Sequence, residues 1–251
     1  MKTPSIGQSF TIACVIAGTL WISCTGIECA QQIDITREYE LLCRGNQNVS
    51  LAESVKDENT YWSPNWENLL ATNGDCVGWL AVEGTSISYP IVQASEGKPS
   101  FYLTHDFWGN RSVYGCPYID NRTSLSHMHT LVYGHHISSS TQMFSELAKA
   151  YQPNTFKALG RAFILTPDHN VLSFEPICAL RVDQANSDIQ TFSWSTEDGM
   201  LSWLENLTQQ AGITTSGADI QKMSPKQVLT LVTCSGDMAG QRERTLVIYA
   251  R

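Results

Sequence analysis

From Val77 onward the chain is a succession of short apolar segments separated by turn residues, and this pattern limits the folds open to it. The segments are Gly78–Val82, Ser86–Val92, Ser112–Ile119, Thr130–Tyr133, Arg161–Thr166, Val171–Val182, Val228–Thr233 and Thr245–Tyr249. Their Val, Ile, Leu and aromatic content suits half-buried strands. Thr166-Pro-Asp-His-Asn170 reads as a hairpin turn between two of them. Two helices are expected among the strands, Gln142–Tyr151 and Thr196–Gln210. The second opens on Ser195 or Thr196 with Glu197 and Asp198 in its first turn, which suits the positive end of a helix. A short helix is expected at Trp66–Thr72, capped by Ser63 or Asn65. About eight short strands with few helices imply a mostly β closed barrel or sandwich, and periodicity alone does not choose between them.

The N-terminus carries a different signal. Residues Thr3 to Ile27 contain no charge, and the densest apolar part runs from Phe10 to Ile22. That is just long enough to span a bilayer, which takes about 20 mostly apolar residues. Lys2 precedes it and Glu28 follows, with no small-x-small cleavage site near Ala30. The expected organisation is a cytoplasmic N-terminus over 1–8, a transmembrane signal anchor over 9–30, a helical and loop linker over 31–62 and one globular domain over 63–251. Within the linker, Ile33 to Ser50 reads as helical. The anchor orientation places the domain outside the cell.

The formal charge of −8 argues against nucleic acid as a partner, because phosphate binding needs a basic surface. Of eight cysteines, Cys43, Cys76, Cys116, Cys178 and Cys234 lie beyond the apolar run. An odd number in an exported domain leaves one unpaired if the other four form disulfides. No Cys-x-x-Cys pair occurs, so a structural zinc site has little support.

Three β-segments end in groups that serve nucleophilic chemistry. Thr230-Leu-Val-Thr-Cys234 ends in a thiol. Leu131-Val-Tyr-Gly-His-His136 ends in imidazoles. Arg242-Glu-Arg244 precedes the last segment, Thr245–Tyr249. A cysteine nucleophile needs a base or cation nearby and donors for the developing oxyanion. Singly, each has a commoner structural explanation: a small buried hydrophobe, a turn histidine, a solvated charge. Together, at the ends of strands, they can converge on one substrate.

This combination resembles the sortase family. Thr230–Cys234 is similar to its Thr-Leu-x-Thr-Cys signature, Tyr133-Gly-His135 to its strand ending in Gly-His, and Arg244 to its active-site arginine. Asn73–Val82, Gly84-Thr85, Tyr89–Gln93, Tyr102–Phe107 and Gly115–Asp120 resemble class B members, as does the helix ahead of the cysteine strand. The similarity covers roughly residues 63–251. Cys116-Pro117, Ala94–Ser100 and the extra cysteines depart from the usual pattern.

The resemblance implies a closed eight-stranded β-barrel with N-terminal helices. It also implies an extracytoplasmic cysteine transpeptidase that cleaves a C-terminal sorting motif of exported proteins. Cys234 is then the nucleophile, His135 the acid–base group and Arg244 the oxyanion donor, helped by the amide of Cys234 or Ser235. Tyr133, Thr233 and Ser235 line the substrate. The acceptor is a peptidoglycan-precursor amine or a pilin lysine, and no metal or other cofactor is required. Because successive strand residues face opposite ways, only one of His135 and His136 can share a face with Cys234. The motif selects His135, and His136 reads as a surface residue. Two other readings compete: a hydrolytic cysteine peptidase, and a metal- or haem-binding surface protein using His127, His129, His135, His136 and Cys234.

Overall fold

The computed structural model describes residue 39 and residues 63–186, 188–215, 220–236 and 242–251. The expected anchor over 9–30 and, apart from Tyr39, the helix over Ile33–Ser50 lie outside these residues. No helix among the described residues is long and apolar enough to cross a membrane.

Nine strands form one sheet: β1 (Cys76–Val82), β2 (Ser88–Gln93), β3 (Tyr118–Ile119), β4 (His129–Tyr133), β5 (Ala162–Leu165), β6 (Val171–Asp183), β7 (Ile213–Thr214), β8 (Val228–Cys234) and β9 (Glu243–Ala250). Their order is β5-β1-β2-β3-β4-β8-β9-β6-β7, and a further β5–β6 pairing joins the ends. Eight strands therefore close a barrel, with β7 added to the flank of β6. The barrel, not the sandwich, is the architecture. Closure removes the exposed edges of an open sheet. β2–β3 and β4–β8 run parallel and the other pairs antiparallel.

Alternation along the strands divides the side chains between two faces. Leu80, Ile91, Val132, Ile164, Leu229, Leu231, Val247 and Tyr249 fill the barrel interior. The outward residues Leu131, Val228, Val232, Leu246 and Ile248 meet a helix, α3 (Glu197–Gln210). Met200, Leu201, Leu204 and Leu207 form its buried stripe at helical spacing. Thr196 caps it by accepting the Gly199 N–H at 3.2 Å. The expected helix Trp66–Thr72 is present as α1, with Asn65 rather than Ser63 accepting the Asn68 N–H at 3.0 Å.

Two elements differ from expectation. Gln142–Tyr151 is not an α-helix: it holds a 3-10 turn at Ser145–Leu147, and the helix α2 begins later, at Pro153–Ala158. Met143 has φ +53°, which a right-handed helix cannot contain, and Pro153 suits a first helical position. In the expected strand Ser112–Ile119 only Tyr118–Ile119 pair. Gly115 has φ +60°, and a β-carbon there would lie 2.5 Å from the Tyr102 carbonyl oxygen, so the chain crosses the Tyr102–Leu103 backbone instead of extending.

Candidate active site

β8 is the central strand of the site. Its first six residues are buried and only Cys234, at its end, is half-exposed. β4 lies parallel on one side, with Tyr133 opposite Val232, and the Gly134 N–H donates to the Val232 carbonyl at 3.0 Å. His135 follows two residues past Tyr133, beyond the end of β4 and at the same end of the sheet as Cys234. β9 lies antiparallel on the other side, with Arg244 directly opposite Cys234. Three neighbouring strands thus bring Cys234, His135 and Arg244 to one end of the sheet, with Cys234 and Arg244 on one face. His135 and Cys234, far apart in the chain, come to the same end of the sheet because long-range pairing puts β8 between β4 and β9.

The His135 ring is oriented by main chain. Its Nε2 lies 2.7 Å from the Leu103 carbonyl oxygen. A carbonyl only accepts, so Nε2 carries the hydrogen and Nδ1 is left for proton exchange. The His135 carbonyl accepts the Phe144 N–H at 2.9 Å. A β-carbon on Gly134 would fall 2.5 Å from the Phe144 ring, so glycine permits that ring to pack against the strand. Arg244 is half-buried; its Nη1 donates to the Glu243 carbonyl and its Nη2 to Gln184 Oε1, both at 3.1 Å. These contacts tie the guanidinium to the β6 side of the rim, where Gln184 follows β6.

His136 is not a surface residue, as its sequence position suggested. It is half-buried, and its Nδ1 donates to the Gly236 carbonyl at 3.1 Å. Tyr133 shares the outward face, but its hydroxyl donates to Asp120 Oδ2 at 3.1 Å and its ring lies 5.3 Å from that of Tyr118. Thr233 and Ser235, expected to line the substrate, are 3% and 5% exposed and alternate onto the opposite face. The Ser235 N–H donates to the Glu243 carbonyl at 3.2 Å, which removes it as an oxyanion donor. The amide of Cys234 is the remaining main-chain candidate.

The thiols are set apart by burial. Cys76, Cys116 and Cys178 are buried and free, so no disulfide joins the described cysteines as the odd count suggested; Cys43 lies outside the described residues. Burial pushes the Cys76 thiol up to about 11 and Cys178 to about 12, and raises Cys116 strongly. Cys234 alone among the four is reachable from solvent.

The histidines of the metal-binding alternative do not converge. His129 opens β4 and His135 follows its end, about 20 Å away at strand rise. His129 spends Nδ1 on the Thr191 carbonyl at 2.8 Å and Nε2 on Thr230 Oγ1 at 2.9 Å. Burial holds its imidazole down at about 4, against the smaller opposing pulls of the Thr191 carbonyl and the Asp120 charge. Among the described residues no three His, Cys, Asp or Glu side chains are grouped to hold a metal ion.

Sequence reasoning did not find the Leu103 carbonyl, because a main-chain acceptor has no residue-type signature. Nor did it find Asp120. Burial would raise that carboxyl, but Arg122, bonded through Nε at 2.8 Å and Nη2 at 2.7 Å, holds it below its ordinary value. Arg122 also reaches Gln190 at 2.8 Å, linking the wall behind Tyr133 to the segment ahead of α3.

A closed mixed barrel thus carries a thiol, an imidazole and a guanidinium at one end of neighbouring strands, the groups a cysteine nucleophile needs. No family model matches the chain. It is 24% identical to sortase B of Staphylococcus aureus over 190 residues, 75% of this chain and 74% of that protein. It is 25% identical to sortase B of Listeria monocytogenes over 185 residues, 72% and 71% of the respective lengths. Its fold matches the crystal structure of Clostridium perfringens sortase B with a TM-score of 0.62 at 24% identity, covering 73% of this chain and 97% of that one. The chain is thus most similar to class B members of the sortase family, which are cysteine transpeptidases, and it shares their fold.

Proposed function

We propose that this chain cleaves a C-terminal sorting motif of exported proteins and transfers the acyl group to an amine, with Cys234 as nucleophile. The observation that carries this reading is the placement of Cys234, His135 and Arg244 on adjacent ends of β8, β4 and β9. The Cys234 thiolate attacks the scissile carbonyl carbon, and the carbonyl π electrons move to oxygen. Arg244 and the Cys234 amide donate to that oxyanion. As the C–N bond breaks, the protonated Nδ1 of His135 gives its proton to the leaving amine. A thioester on Cys234 and a neutral imidazole remain. The incoming amine attacks the thioester, Nδ1 takes its proton, and the thiolate departs. The Leu103 carbonyl keeps Nε2 protonated throughout, so a single nitrogen serves both steps.

The acceptor is a peptidoglycan-precursor amine or a pilin lysine. The uncharged N-terminal run anchors the protein as a single-pass membrane protein with residues 63–251 outside the cell. The test is incubation of the protein with sorting-motif peptides and an amine, followed by mass spectrometry. A thioester on Cys234 and an amide-linked product are expected. Product formed by Cys234→Ala protein would refute the nucleophile. A thioester resolved only to the free acid at saturating amine would replace transfer by hydrolysis.

A further inference from the structure

Thr245 follows Arg244 on β9, is fully buried, and lies opposite Thr233 on the inward face. Its hydroxyl donates to the Ala148 carbonyl at 2.6 Å. That carbonyl can only accept, so the Thr245 proton is committed to it. The 2.9 Å contact between Ser235 and Thr245 hydroxyls is therefore donated by Ser235. A line of bonds results, from Ser235 through Thr245 to Ala148. Ala148 follows the 3-10 turn Ser145–Leu147, and Phe144, just before that turn, donates its N–H to the His135 carbonyl. Ser145 Oγ also accepts the Ile137 N–H at 2.8 Å. One short turn thus grips the main chain at His135–Ile137 directly and at Ser235 through Thr245. The neighbouring Thr233 hydroxyl is buried with no partner among the described residues, so on the inward face the Thr245 line couples the end of β8 to that turn, while the His136 imidazole bonds the Gly236 carbonyl beyond Cys234.

We infer that Thr245 is a positioning residue of the transfer reaction: acting through Ser235, it fixes the main chain at Cys234 relative to His135 without touching substrate. This rests on the assignment of Cys234 and His135 given above. Replacing the hydroxyl by a methyl leaves the Ala148 carbonyl and the Ser235 hydroxyl buried without partners, and the chain at Cys234 relaxes to recover them. A shift of about 1 Å between reacting groups is enough to lower turnover by up to about 100-fold.

The test compares kcat and KM for one sorting-motif peptide and one amine across wild type, Thr245→Val, Thr245→Ser, Ser235→Ala, the Ser235→Ala/Thr245→Val double variant and Cys234→Ala. Circular dichroism checks folding of each. Thr245→Val is expected to lose about tenfold or more in kcat with KM unchanged. Thr245→Ser, which keeps the hydroxyl, is expected to restore most of it. The double variant is expected to be no slower than Thr245→Val, because both changes cut one line. Wild-type kcat in folded Thr245→Val overturns the inference, as does a Thr245→Ser variant as slow as the valine, or additive losses in the double variant. If Thr245→Val does not fold, Ser235→Ala decides, and wild-type kcat there overturns it. Turnover by Cys234→Ala would instead overturn the parent assignment of the nucleophile.

Discussion

Acidification from about pH 7.5 to about pH 5 is expected to remove about 2 kcal/mol of stability through His129 alone. An ordinary imidazole near 6.5 takes up its proton across this range, whereas His129, held at about 4 in the fold, does not. Between those two values the unfolded chain binds more protons than the folded one, so stability rises with pH. The contribution is fully present above about 6.5, is lost as pH falls, and approaches a total loss of about 3 kcal/mol below about pH 4. The cause is structural. His129 is 0% exposed, its two nitrogens are bonded to the Thr191 carbonyl and to Thr230, and its ring lies 4.8 Å from that of Trp203. Urea unfolding at both pH values, followed by tryptophan fluorescence, measures the loss. His129→Gln keeps an amide donor and does not titrate, so its stability is expected to change about 2 kcal/mol less between the two pH values. Equal losses in wild type and variant would refute the reasoning, as would an NMR titration placing His129 near 6.5.

Iodoacetamide at mildly alkaline pH is expected to modify Cys234 well before Cys76, Cys116 or Cys178, whose raised values keep them as thiols; peptide mapping reads the order. His135→Ala is expected to lower kcat by at least about 100-fold, while His136→Ala keeps most activity, and the reverse outcome would exchange their roles. Leu204→Ala, at a fully buried site of α3, is expected to cost about 2 to 5 kcal/mol in chemical denaturation without changing the acylated residue.

How much of this was legible in the sequence depended on what carried each feature. β8 and β9 announce themselves because both faces are buried and nearly every position is apolar or β-branched. Cys234, His135 and Arg244 were readable as candidates because they stand at the ends of apolar segments in an order that resembles a known family. Thr233 and Ser235 misled, because adjacency to Cys234 in the chain is opposition across the sheet. The helix predicted at Gln142–Tyr151 failed because its apolar spacing arises from a turn: Ser145 bonds locally to Ile137 and Gln142, and Met143 sits in the left-handed region. The Leu103 contact and the grip of the Ser145–Leu147 turn on two distant strands join hydroxyls and imidazole to main-chain groups far away in the chain, and only the folded barrel creates them.

The insertion of β8 between β4 and β9 also has a consequence for the order of assembly. β4 has no neighbour on that side until a strand about a hundred residues later arrives, and β8 in turn needs β9 on its other flank. Such distant pairings are late events, because loop closure is entropically costly before contacts repay it. The thiol and the imidazole remain strangers in every partly formed barrel, and the arginine joins only with the final strand. On the proposed assignment, transfer therefore waits for completion of the fold, because only the closed barrel holds all three side chains at one end of the sheet.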